Sequence, residues 1–210
     1  MKVLLTGASS GIGEAILHEL QADGHEVIDP TRDELDLNDP IQVSEYASTD
    51  IPLEDFDILI NNAGHDHGGK TPFSLQQPHD VQSIMQVNLL APIALTQSVL
   101  KHNTVATIVN ITSMNVRRYP PNDLAYTLSK KSLHEFTELL RTEHREARFI
   151  EIRPGLVKTG FNKARFYDRR ESFDDGLYSN PHMMPIDVAR TVMNALNDPN
   201  MNVVELEPSN

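Results

Sequence analysis

The sequence predicts one doubly wound α/β domain with a parallel sheet, spanning residues 1–210. Three observations predict it. Short aliphatic runs alternate with amphipathic helical stretches along the chain, a pattern that pairs strands in parallel through right-handed crossovers. The first run, Lys2-Val3-Leu4-Leu5, passes directly into a glycine-rich turn, Thr6-Gly7-Ala8-Ser9-Ser10-Gly11-Ile12-Gly13. Thr107 to Ile111 is rich in β-branched residues, as a strand covered on both faces requires.

The elements follow in order. After the glycine turn, Ile12, Ala15, Ile16 and Leu20 recur at helical spacing, and Asp23-Gly24 closes that helix. Val27-Ile28 reads as a second strand and Leu35-Asp36-Leu37 as a very short third. Asn38-Asp39-Pro40 opens a helix to about Ala47, with Pro40 suited to its first turn. A fourth strand runs from Phe56 to Ile60 and ends in Asn61-Asn62-Ala63-Gly64. A long helical stretch covers about His79 to Lys101, and its Pro92 should kink or break it. The fifth strand is Thr107 to Ile111. A helix from Asp123 to about Glu146 carries Tyr126 and Lys130. Phe149 to Arg153 is the sixth strand, ending at Pro154-Gly155. Residues 156–184 lack clear periodicity and read as a lid over a substrate. A last helix, about Ile186 to Leu196, precedes a strand at Val203 to Leu206.

Composition narrows the function. A formal charge of −12 argues against a nucleic-acid partner and against an anionic membrane surface. No apolar run reaches the roughly 20 residues a spanning helix needs. The first residues enter a strand at once, so no signal peptide is expected. With no cysteine, disulfides and thiolate catalysis are excluded. A cytoplasmic setting is the simplest expectation.

The chemistry lies in a triplet. Ser113 is followed thirteen residues later by Tyr126, and Lys130 comes four beyond that. A tyrosine is a poor base at its free pKa of about 10. An ammonium one helical turn away, on the same face, favours the phenolate. Tyr126 then becomes a group that exchanges a proton with an alcohol near neutral pH. Gly7, Gly11 and Gly13 let the backbone turn tightly, and Ile12 begins a helix whose N-terminus can receive a phosphate. A nucleotide beside an activated tyrosine points to hydride chemistry.

These residues resemble the short-chain dehydrogenase/reductase family over nearly the whole chain. Thr6 to Gly13 is similar to that family's TGxxxGIG, and Asn61-Asn62-Ala63-Gly64 to its NNAG. Ser113, Tyr126 and Lys130 fit its catalytic spacing, and Asn88 fits its fourth catalytic position. Pro154-Gly155, followed by Val157 and Thr159, is similar to its PGxxxT segment. The resemblance implies a compact Rossmann-type member of the family, with Tyr126 as acid/base and Ser113 orienting the substrate oxygen. It also implies that Lys130 grips the nicotinamide ribose and that Asn88 positions a water in a proton relay. Ser9 and Ser10 would join the phosphate site, and Asn62, Ala63 and Gly64 would border the cofactor. Pro154, Gly155, Val157 and Thr159 would hold the nicotinamide amide. One departure stands out. Only three residues separate Arg32 from Asp36, where the family usually has a helix. That shortening looks like the extended nucleotide-sugar reductases, and it bears most on adenine packing against Asp36-Leu37.

Cofactor choice rests on the end of the second strand, Asp29-Pro30-Thr31-Arg32. A carboxylate there binds the ribose 2′-hydroxyl of NAD, whereas an arginine accommodates the 2′-phosphate of NADP. By resemblance the acidic position corresponds to Thr31, which is uncharged, and Arg32 follows it. NADP(H) is therefore expected; NAD(H) is the alternative if Asp29 turns inward. His65-Asp66-His67 invites a metal reading, but adjacent positions rarely converge on one ion, so none is assigned. Gly68-Gly69-Lys70-Thr71 ends like a phosphate-binding loop yet lacks its first glycine. Arg117, Arg118 and Tyr119 should border the substrate, as solvated residues or as partners of an acidic one. Phe161, Phe166, Tyr167, Phe173 and Tyr178 suggest a hydrophobic portion in the substrate or a subunit contact.

The leading reading is an NADP(H)-dependent oxidoreductase, a carbonyl reductase or alcohol dehydrogenase on a small molecule. By analogy with the family a homodimer or homotetramer is expected. The alternatives are a non-catalytic NADP(H)-binding sensor or scaffold, and a nucleotide-sugar epimerase or dehydratase.

Overall fold

Six parallel strands run in the order β2-β1-β3-β4-β5-β6 in a computed structural model that describes residues 1–48, 56–66, 71–161 and 181–208. The chain alternates β1 (Lys2–Leu5), α1 (Gly11–Ala22), β2 (Glu26–Ile28) and α2 (Pro40–Ser48). It continues through β3 (Ile58–Asn61), α3 (Pro78–Met85) and α4 (Ala91–His102) to β4 (Thr107–Ile111). Last come α5 (Leu124–Glu143), β5 (Arg148–Pro154), α6 (Pro185–Asn197) and β6 (Val203–Leu206). This is a Rossmann-type doubly wound sheet.

Period-two alternation divides the strand side chains between two layers. Val3, Leu5, Ile58, Ile60, Ile150 and Ile152 meet Ile16 and Leu20 of α1 and Val188 and Val192 of α6. On the opposite face Leu4, Leu59, Ile108 and Phe149 meet Val43, Leu95, Val99 and Leu140. After β2 the chain returns to the other side of β1. The strand order therefore reverses between β1 and β3, the place where open α/β sheets bind ligands.

Three expectations are corrected. Leu35-Asp36-Leu37 is not a strand. Local side-chain bonds hold this stretch in turns: Glu34 Oε2 accepts from Thr31 N and Oγ1, both at 2.8 Å, and Asp36 Oδ1 accepts from Asn38 N at 2.9 Å. The stretch from Pro78 to His102 is not broken at Pro92 but widens into a π turn at Gln86–Leu90 just before it. Pro92 has no N–H for the Asn88 carbonyl and its ring crowds that carbonyl, so the turn opens by one residue. The same 25-residue helix has a mean hydropathy of 1.3 in its most apolar window, so by length and composition it meets the standard of a spanning helix. Its apolar side chains pack on the sheet, and 61% of that window is buried in protein.

Candidate active site

A cavity of about 910 Å3 opens along the C-terminal ends of β1, β3, β4 and β5. The turn after β1 forms one wall. Gly7 and Gly11 have φ of 71° and 60°, in the left-handed region that favours glycine. A Cβ at Gly7 would lie 2.8 Å from Ala63 Cα, and one at Gly13 only 2.0 Å from the Gly7 carbonyl oxygen. These two glycines are thus demanded by the protein's own packing as well as by any ligand. Thr6, the first residue of the motif, secures the turn. Its Oγ1 accepts from Asn62 N and Ala63 N, each at 3.1 Å, and Asn62 Nδ2 returns bonds to the Thr6 and Gly7 carbonyls at 3.0 and 3.1 Å. The Ser10 side chain does not cap α1. The first-turn N–H groups of α1 thus face the cleft without a side-chain acceptor, which suits a phosphate. Gly13→Ala is expected to weaken NADPH binding by about 100-fold or more, since a clash of this depth forces the phosphate turn apart; fluorescence titration measures it.

Every residue assigned to a nucleotide borders this cleft. Ser9, Ser10, Gly11 and Ile12 lie at the helix start, and Arg32, Asp36 and Leu37 at the far end beside Asp29. Asn62, Ala63 and Gly64 line one side, and Pro154, Gly155, Val157 and Thr159 the other. Val157 also bridges to Met183, which ties the loop after β5 to the start of α6.

Ser113, Tyr126 and Lys130 meet in the same cleft. Ser113 caps a short 3-10 turn, Met114–Arg117, where its Oγ accepts from Asn115 N at 3.1 Å. Its hydroxyl proton is left to donate elsewhere. Asn115 Nδ2 donates to Asp123 Oδ2 and Thr127 Oγ1 at 3.0 and 3.1 Å, so the turn is locked to the start of α5. Tyr126 is largely buried, with its ring 5.6 Å from that of Phe161. Lys130 Nζ lies 5.9 Å from the Tyr126 ring centroid and donates to the Ile111 carbonyl at 2.9 Å. Burial pushes the Lys130 ammonium down to about 8.

The Asn88 amide is committed to protein partners. Asn88 is buried behind the cleft and does not line it. Its Oδ1 accepts from His65 N at 2.9 Å, and its Nδ2 donates to His65 O at 3.0 Å and Ser129 Oγ at 3.1 Å. That amide clamps the loop after β3. His65 borders the cleft, with Nε2 3.0 Å from Ser83 Oγ. His67 and Gly68-Gly69-Lys70 lie outside the described residues. So do 162–180, which include Phe166, Tyr167, Phe173 and Tyr178 from the expected lid.

An ionic network beneath Ser113 also escaped the sequence reading. Glu151 Oε1 accepts from Thr112 Oγ1 at 2.7 Å, and Oε2 accepts from Arg153 Nη2 at 2.8 Å. Burial alone would raise the Glu151 carboxyl, but hydrogen bonds from Arg153 and Thr112 outweigh it and hold the group below the usual carboxylate range. Arg153 Nη1 and Arg117 Nε both reach Glu205 Oε1 at 2.6 Å. Ser113 is therefore anchored on both sides, through Thr112 and through Arg117. The ligand atoms of His134, Glu138 and Glu151 lie within 4.8 Å of one another, a metal-ligand spacing. Arg153 Nη2 contacts both His134 Nδ1 and Glu151 Oε2, which themselves lie 2.9 Å apart, and Arg141 pairs with Glu138, so guanidinium groups already supply the positive charge.

Comparisons with known proteins agree with this geometry. The family model for short chain dehydrogenase matches residues 34–170. An NADP-dependent 3-hydroxy acid dehydrogenase of Schizosaccharomyces pombe is 29% identical over 223 residues, covering 92% of this chain and 86% of the relative. An NADP-dependent 3-hydroxy acid dehydrogenase of Salmonella typhi is 29% identical over 236 residues, covering 99% and 95%. Among solved structures, the closed form of a serine dehydrogenase complexed with NADP+ superposes with a TM-score of 0.87 at 27% identity, covering 99% of this chain and 95% of that one.

Proposed function

We propose, from the premise that this chain belongs to the short-chain dehydrogenases, that it is an NADP(H)-dependent oxidoreductase acting on a small hydroxy acid and the matching oxo acid. The observation that carries this is the meeting of Ser113, Tyr126 and Lys130 in one cleft with the uncapped start of α1. The names of the relatives support the acid and the cofactor.

Tyr126 exchanges the proton on the substrate oxygen, giving it up in reduction and taking it in oxidation. The Ser113 hydroxyl donates to the same oxygen and fixes its direction, because the capped turn holds Oγ in place. Lys130 reaches under Tyr126 from the next helical turn and adds positive charge where phenolate character develops. The nicotinamide supplies or accepts the hydride when bound. Arg32 is the cation at the adenosine end, where Thr31 is held by Glu34 and offers no charge.

Titration with NADPH and NADH tests the cofactor assignment. NADPH should bind at least about tenfold tighter, or about 1.4 kcal/mol, and Arg32→Ala should remove most of that difference. Equal affinities would instead place Asp29 on the ribose hydroxyls. Assay of 3-hydroxy acids with NADP+ tests the substrate class, and turnover confined to uncharged alcohols would refute it.

A further inference from the structure

We infer that Arg118 is the residue that selects for a carboxylate on the substrate, exchanging its partner Glu207 for that group. This deepens the hydroxy-acid reading and rests on it.

The cations bordering the cleft among the described residues are Arg32, Lys130 and Arg118. Arg32 stands at the adenosine end and Lys130 under Tyr126. Arg118 closes the turn that Ser113 opens, so it stands at the end where a substrate oxygen meets Ser113. The C-terminal segment meets it there. Gly155 N donates to Leu206 O at 2.8 Å, and Gly155 sits within reach of both Pro208 and Met114, so Glu207 lies at the same mouth.

The two neighbouring arginines are held differently. Arg117 shares Glu205 with the buried Arg153, which fixes the root of the turn. Among the described residues Arg118 pairs with Glu207 alone, and the two side chains are 58% and 55% exposed. An exposed pair of this kind contributes little, so replacing one carboxylate by another costs little. Glu207 thus stands in for the ligand: a guanidinium that donates to this carboxylate through Nη2 can donate to an incoming one in its place. A local cation also has a purpose here. The chain carries a formal charge of −12, and an anionic substrate needs a positive group at the mouth to offset that field.

The test compares 3-hydroxypropionate with its methyl ester, each oxidised by NADP+. Arg118→Gln should raise KM for the acid at least about tenfold more than KM for the ester, reflecting the loss of a charge-assisted bond. Glu207→Gln should act in the opposite sense and lower KM for the acid by about two- to fivefold, because Arg118 is released. A purely structural salt bridge would move both variants in the same direction and both substrates equally, and that result overturns the inference while leaving the hydroxy-acid reading intact. Wild-type protein that oxidises the ester but not the acid overturns the reading itself, and the role of Arg118 falls with it.

Discussion

Tyr126→Phe is expected to lose turnover by about 10³-fold or more while its NADPH affinity stays within about twofold of wild type. The substitution removes one oxygen and little else. Tyr126 is largely buried, and its ring packs 5.6 Å from Phe161, a contact that Phe reproduces. The neighbours that shape the cleft have independent supports: Ser113 caps its own turn and Lys130 bonds to the Ile111 carbonyl. What disappears is the only phenolic proton beside Ser113 among the described residues. Without it a developing alkoxide would have to be protonated by water. The measurement is NADPH oxidation with a 3-oxo acid, run beside a nucleotide titration. Turnover within tenfold of wild type would remove Tyr126 from the acid/base role. Loss of turnover together with nucleotide binding would point instead to a collapsed cleft.

How much of this was legible in the sequence depended on range. The alternation of strands and helices, the glycine turn and the Ser113–Tyr126–Lys130 spacing are local patterns, and each appears where the residues placed it. Leu35-Asp36-Leu37 reads as a strand because two leucines around an aspartate look like alternation. Side-chain bonds from Glu34 and Asp36 to nearby backbone compete with strand pairing and win. The role of Asn88 depended on its partner. A polar residue before Pro92 gave no sign that its amide would close on both backbone groups of His65, 23 residues away. The network under Ser113 is longer in range still, joining Thr112 to Glu151 and Arg117 to Glu205. Its one sequence signal was Ile150-Glu151-Ile152-Arg153, where charges occupy alternate positions of a strand that must be covered on both faces. Charges on such a strand have to find one another or remain unpaired in the core.

Lys130→Met is expected to end turnover and yet make the protein more stable at pH 7. Burial pushes the Lys130 ammonium from 10.5 down to about 8, so the fold holds the charged form against a penalty. At about 1.4 kcal/mol per decade that penalty comes to about 3 kcal/mol. Methionine keeps the length and apolar stem while removing the charge. It also takes away the donor to the buried Ile111 carbonyl, a loss of about 1–3 kcal/mol. The net gain of up to about 2 kcal/mol corresponds to a rise in Tm of up to roughly 4–8 °C for a chain of this size. The sign with pH follows from proton binding. Between about 8 and 10.5 the unfolded lysine keeps its proton while the folded one releases it, so wild-type stability rises with pH through that window. Below 8 the penalty is fully present. The advantage of Lys130→Met should therefore be largest at pH 7 and shrink as pH climbs toward 10.5, and other titrating groups cancel because both proteins carry them. Paired thermal melts at pH 7 and pH 10 measure it. A less stable variant, or an advantage that does not change with pH, would mean that the ammonium is well solvated where it stands. The expected outcome would instead identify Lys130 as a group the fold retains at a cost in stability because the chemistry at Tyr126 requires its charge.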